Sequence, residues 1–440
     1  MIAKHRSFFI SNTNITLMLI LSSFIGVSIS YGDFYLFHLI LFFVLLIRAY
    51  QLKVNNYKLR YTFLSKKYVP TLIMIFLWYL LSLFWTPNFE LGIKYNFYIF
   101  CGLILTLSII SFSSDLNKLN KLFKFLSIFV FIEISISMIE SFTSFRMPIS
   151  SYSQISQLFG KDPVNFSSVN NSFLSSIFTP PTGFRWNTND LAICMIIVLP
   201  FFLCNKNTMN KTLGILLITT IIIMTASRAV FLALLLVYSL YLLFVKKKAG
   251  TLFLIWTTTL TILWGMSQLK ESENPRINEL ANSIEALTLY LSGDLDIEGS
   301  LSWRRELVDN GLNAFLNTYG IGVGAGGTVA NQEMIGPVAG RFTSMHNFWI
   351  ELLVEGGVLI AIITFLWFMS MIYRLFIISR KNTDDKIKYF SQSLFLSLIA
   401  FVPAAIAASS TIYFFPMWIM FGFAISVISL ADIKPIRRDN

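Results

Sequence analysis

Charge is scarce in this chain. Only 13% of its 440 residues are Asp, Glu, Lys or Arg, where a soluble domain carries about 25%. That density excludes an ordinary water-facing globular surface. Histidine and cysteine number three each. Cys101, Cys194 and Cys204 fall in or at the ends of apolar runs and lack metal-ligand spacing. A disulfide framework and a cysteine-metal centre are therefore excluded, and apolar packing is their role. No internal repeat and no low-complexity tract breaks the chain.

What the sequence does have is hydrophobic residues, 55% of the total. Apolar runs near 20 residues recur along its whole length, each long enough to cross a bilayer as a helix. The first, Ile15–Ser30, follows Lys4 and Arg6 and reads as a span, not a removed signal peptide. About twelve spans are expected, at 13–31, 33–50, 69–86, 95–113, 122–141, 187–204, 209–226, 228–245, 251–268, 356–378, 389–410 and 412–431. The fold class is thus an all-α polytopic membrane protein with a large, partly helical extracytoplasmic loop between spans 9 and 10. Three regions follow: 1–268 with spans 1–9 and an outer loop at 142–186; the extracytoplasmic loop 269–345; and 346–440 with an interfacial helix and spans 10–12.

The net charge of +11 does not point to nucleic acid. With the N-terminus inside, the inner segments hold 24 of the 34 basic residues, among them Lys246, Lys247 and Lys248. That alternation follows the positive-inside rule and puts both termini in the cytoplasm. Two long segments face outward. Phe142–Trp186 is rich in Ser, Asn and Pro, and Lys270–Met345 is the largest soluble piece. Within the second, "NELANSIEALTLYL" and "SWRRELVDNGLNAFL" carry helical spacing.

Ionisable groups inside spans are few: Glu133, Glu140, Asp190 and His38. Polar groups gather instead at the outer boundary. Arg185, Asn187, Asn189 and Asp190 enter the sixth span, and "TASRAV" puts Arg228 between two apolar runs. A snorkelling arginine there would anchor a helix end; an outward position argues for function instead. Arg304 and Arg305 open an amphipathic helix whose apolar side takes Leu301, Leu307, Val308, Leu312 and Phe315. Either arginine is a solvated charge or a fork for phosphate. The run "YGIGVGAGG" has no βαβ unit around it, which excludes a dinucleotide site, and it calls for close backbone approach. In "SMHNFWIELLVEGG", Asn347, Glu351 and Glu355 share a helical stripe beside His346, and Gly356-Gly357 lets the chain turn into the tenth span. His346 alone reads equally as a helix cap bonding a backbone carbonyl.

The combination of "TASRAV", the loop arginines after Ser302, "GIGVGAGG" and "HNFWIELLVEGG" resembles the bacterial O-antigen polymerase and O-antigen ligase superfamily (Wzy-type), from about Gly183 to Ile363. Thr188 stands where that family has proline, and Trp303 where it has glycine. The resemblance implies a membrane glycosyltransferase at the outer face of the plasma membrane, using neither metal nor nucleotide sugar and no other cofactor. Its implied partners are an undecaprenyl-pyrophosphate-linked oligosaccharide, an acceptor glycan, the lipid bilayer and a chain-length regulator. Carried over by motif, Arg228 and Arg304 would stabilise the departing pyrophosphate, with Arg305 the rival to Arg304. His346 would be the general base. Arg305, Arg185, Asn189, Asn347, Glu351 and Glu355 remain candidates for substrate binding. Repeat-unit polymerase is the leading expectation, ligase onto lipid A-core the alternative, and a lipid-linked oligosaccharide flippase the rival from another class.

Overall fold

The computed structural model describes residues 12–55, 67–163, 180–248, 250–251, 300–338, 342–407 and 412–433. Helix dominates them. The order is α1 (Asn12–Ile25), α2 (Leu36–Asn55), α3 (Val69–Leu81), α4 (Phe89–Phe112), α5 (Leu116–Phe142), α6 (Thr188–Leu203), α7 (Thr208–Met224) and α8 (Arg228–Leu240). There follow α9 (Ser300–Leu316), α10 (Gly327–Ile335), α11 (Phe348–Lys381), α12 (Asp385–Ala404) and α13 (Phe415–Ile433). A small antiparallel hairpin, β1 (Ser30–Tyr31) with β2 (Phe34–Tyr35), joins α1 to α2.

By length and composition, six helical stretches among the described residues can cross a membrane: 89–112, 116–142, 228–246, 348–381, 385–404 and 415–432. Shorter apolar helices at 14–28, 36–47, 69–84, 188–203 and 208–224 accompany them. All of these overlie expected spans. The ninth expected span, 251–268, lies outside the described residues beyond its first position, and so does "NELANSIEALTLYL". Helices suit an apolar solvent because they satisfy their own backbone groups. Their starts are specified by sequence: α4, α5, α6, α7, α11 and α12 each follow an Asn or Asp whose side chain accepts a backbone N–H of the first turn.

Helix α12 is the hub, packed on α6, α8, α11 and α13, while α13 also lies along α4. Leu394, Leu396, Leu398 and Phe401 of α12 are fully enclosed. The two helices at this centre meet their neighbours closely where a side chain is missing: the Trp418 ring fills the place a side chain on Gly102 would take.

Among the described residues, one ion pair sits inside the bundle. Arg185 donates from Nε and Nη2 to the two carboxylate oxygens of Glu133, at 2.9 and 3.1 Å, and its guanidinium lies over the Phe24 ring. Both side chains are buried. Nearby, Glu140 accepts backbone N–H bonds from Met147, Thr182 and Gly183, tying both ends of the segment after α5 to that helix. Glu133→Gln is expected to cost about 3–5 kcal/mol, because it strands a buried guanidinium without its counter-charge. Thermal unfolding in detergent reads this; a melting temperature unchanged from the parent protein would refute it.

Helix alternation gathers several connections at one end of the bundle, and direct bonds join them. Ser28 Oγ donates to the Phe184 carbonyl, Trp85 Nε1 to Gly322 and Thr86 Oγ1 to Ala325. The backbone N–H of Phe348 bonds the Ala405 carbonyl. Lysines and arginines mark the opposite end, where Lys206 pairs with Asp385 at 2.7 Å and Arg374 with Asp432.

Candidate functional site

Three segments distant in sequence supply the site, and each is fixed by a different local device. Arg228 is the first residue of α8, reached from α7 through only Thr225, Ala226 and Ser227. Ala226 makes that tight reversal at φ 51°, in the left-handed region. Arg304 lies on the side of α9 that also carries the buried Leu307 and Phe315. His346 lies just before α11 and is itself left-handed, at φ 51°. Such a backbone costs on the order of 1 kcal/mol at a residue with a Cβ, and it persists where surrounding structure dictates it.

Packing dictates it here. Met345 fills the space beside Gly311 of α9, so the residue before the histidine is locked onto the helix that carries Arg304. Phe342 stands edge-on to the His346 ring, centroids 5.9 Å apart, and stacks obliquely on Trp303 at 5.5 Å. On the far side, Asn347 caps α11 by accepting from the Ile350 N–H, and Trp349 Nε1 donates to the Val402 carbonyl. The cap is therefore Asn347, which leaves the imidazole for other work.

The Ala407 backbone approaches the imidazole, whose buried Nδ1 has no hydrogen-bond partner among the described residues. Burial first, and then the positive field of Arg304, push the His346 pKa down to about 4, against a smaller upward effect of the Ala407 backbone. The ring is neutral at physiological pH.

Arg304 is close enough to Arg228 that its own pKa is lowered, by burial first and by the Arg228 charge second. Both guanidiniums stay charged. Two like charges held together in a half-enclosed place favour an anion between them. Arg305 points elsewhere: it is exposed and pairs with Asp309 one turn on, at 3.7 Å. The two neighbouring arginines thus differ in setting, Arg304 being part-buried and Arg305 exposed.

The remaining candidates are spread more widely. Arg185 is held by Glu133 inside the bundle. Asn189 lies half-buried in the first turn of α6, after the Asn187 cap. Glu351 is buried in α11. Glu355 is buried too and accepts from both the hydroxyl and the N–H of Thr328, at 2.7 and 3.4 Å, at the start of α10. The glycine run and the "EGG" that follows Val354 form one seam. Val323 and Gly324 donate to the carbonyls of Val354 and Glu355, and Val358 donates to that of Gly320. The close approach expected at these glycines is made by the chain's own backbone. Among the described residues, no group of three or more metal-ligand side chains gathers.

Sequence reasoning missed the Ala407 backbone, because no side chain signals a backbone neighbour. It noted Trp303 only as a departure from a pattern, whereas the tryptophan backs the wall against which His346 leans.

Comparison with known proteins returns two findings. Residues 213–366 match the O-antigen ligase family (Wzy_C), a span that contains Arg228, Arg304 and His346. The chain is also 23% identical, over 258 residues, to the teichuronic acid biosynthesis protein TuaE of Bacillus subtilis. That match covers 57% of this chain and 52% of the relative, so the chain spans about half the length of that relative. Together they support the resemblance to the O-antigen polymerase and ligase superfamily.

Proposed function

We propose, from the premise that residues 213–366 carry an O-antigen ligase segment, that the protein is a membrane glycosyltransferase. It would extend a cell-surface polysaccharide by transferring glycan from an undecaprenyl-pyrophosphate carrier to an acceptor hydroxyl at the outer face of the plasma membrane. The observation that carries this reading is the chain of electrostatic influence from Arg228 to Arg304 and from Arg304 to a neutral His346, whose buried Nδ1 has no hydrogen-bond partner. The donor sugar arrives activated, so two tasks remain. Arg228 and Arg304 neutralise the pyrophosphate as the anomeric carbon–oxygen bond breaks. His346 Nδ1 accepts the acceptor's proton as the new glycosidic bond forms. A lipid carrier reaches this end of the bundle from within the bilayer, which suits a site at the mouth of the helices. The cationic opposite end supports cytoplasmic termini.

Polymerase is the preferred form and ligase the alternative; the similar protein TuaE, named for teichuronic acid biosynthesis, fits either. A deletion strain separates the forms: glycans capped at one repeat unit identify a polymerase, and long carrier-bound chains left unattached identify a ligase. With purified protein and lipid-linked oligosaccharide, Arg304→Ala is expected to slow transfer by about 10²–10³-fold, as loss of a charge-stabilising donor does. Arg305→Ala, on the solvent face, should stay within a few-fold of the parent. The reverse ranking would reject the assignment of Arg304.

A further inference from the structure

A cleft opens between α9, α10 and the connection from α3 to α4, with a volume of about 380 Å³. That is within the range of small-molecule sites. Its walls carry no charged residue. Asn310 and Asn313 line it from one face of α9 and Asn317 from just past its end, at positions i, i+3 and i+7, and Asn331 faces them from α10. Trp85 closes one side; its Nε1 is tied to the Gly322 carbonyl while 39% of the residue stays exposed.

We infer that this cleft binds a neutral, hydroxyl-rich saccharide, as the hold for the glycan chain away from the reacting end. A sugar hydroxyl both donates and accepts, and a primary amide is the uncharged side chain that does both in return. The absence of charge disfavours phosphate, acidic peptide and nucleic acid. Trp85 offers an immobilised apolar plate to the C–H face of a pyranose ring. Two of the amides are already oriented, Asn310 by donating to Gln332 Oε1 at 3.1 Å and Asn331 by donating to the Gly327 carbonyl at 2.7 Å. Binding therefore freezes fewer rotamers. Placement fits the task as well. Asn310 and Asn317 stand six and thirteen residues on from Arg304, about 9 and 20 Å at the helical rise. They lie on a different side of the helix from the arginine. A glycan with its reacting end at Arg304 would pass around α9 to reach the amides, so the cleft holds units several sugars back from that end.

This inference rests on the transferase reading, but its test needs no turnover. Full-length protein in lipid nanodiscs, without donor, is titrated with neutral oligosaccharides from partial acid hydrolysis of the producing strain's own surface polysaccharide. Saturation-transfer NMR reads binding. Saturable binding is expected, weakened about 10-fold or more by Asn313→Ala combined with Asn317→Ala. Both side chains are exposed, so the fold is not at stake. In turnover assays the same pair should raise KM for long acceptors more than for single-unit acceptors, at unchanged kcat. That contrast separates the growing chain from an isolated sugar as the occupant. Absent saturable binding, binding indifferent to the double variant, or preference for acidic fragments would each overturn the inference. If binding holds while His346→Ala retains full transfer, the cleft stands and the catalytic reading falls.

Discussion

His346→Ala is expected to insert and fold, yet to transfer glycan about 10²–10⁴-fold more slowly, the range a positioned general base supplies. The parent's pH profile should carry the same signature. The active form is the neutral imidazole, and enclosure beside Arg304 holds its pKa at about 4. Activity should therefore be flat across neutral pH and fall only as the pH drops toward about 4. An unperturbed imidazole would already be half protonated near pH 6.5. The stability consequence has a definite sign. Between about pH 6.5 and about pH 4 the unfolded chain binds a proton at this position and the folded chain does not, so acidification through that window destabilises the fold. His346→Gln should lose both the activity and this pH-dependent increment. Full polymer production by His346→Ala, or a rate midpoint near pH 6.5, would sink the assignment.

The second large effect is structural. Gly357 has φ 79° and ψ 171°, which breaks α11 into a short entry helix and a long one. That backbone region is essentially closed to residues with a side chain. A Cβ there would also stand 2.1 Å from the Ile321 carbonyl oxygen. Gly357→Ala should therefore cost about 4 kcal/mol or more, from overpacking and forbidden backbone together, and yield no monodisperse peak on detergent size exclusion. Gly336→Ala is the matched control. It shares a positive φ, 118°, but nothing lies within 4 Å of its added methyl, so backbone strain alone is expected to cost about 1–3 kcal/mol. Equal behaviour of the two variants would show that the seam does not hold the fold.

Much of this architecture was legible before any coordinates. Apolar runs place the helices because a bilayer demands self-satisfied backbone, and Asn or Asp at six helix starts marks their boundaries. His346 and Arg228 stood out because polar side chains are expensive beside such runs. Other facts were hidden for physical reasons. Arg304 and Arg305 differ by 100° of helical rotation, and only the tertiary partner decides which one faces in. Arg185 looked like a ligand until Glu133, 52 positions away, proved to hold it. The asparagines at 310, 313 and 317 were readable as a spacing, yet their meaning depends on Trp85 arriving from the connection between α3 and α4.

The Ala407 backbone bears on how this protein can be engineered. Arg228, Arg304 and His346 all fall within residues 213–366, which would look like a transplantable cassette. The Ala407 backbone that approaches this imidazole lies 41 residues beyond that boundary, after α12. A chimera exchanging only the matched segment would carry the right side chains and borrow its host's backbone beside the histidine. The productive graft boundary is past Ala407, so that the ring keeps its own neighbour.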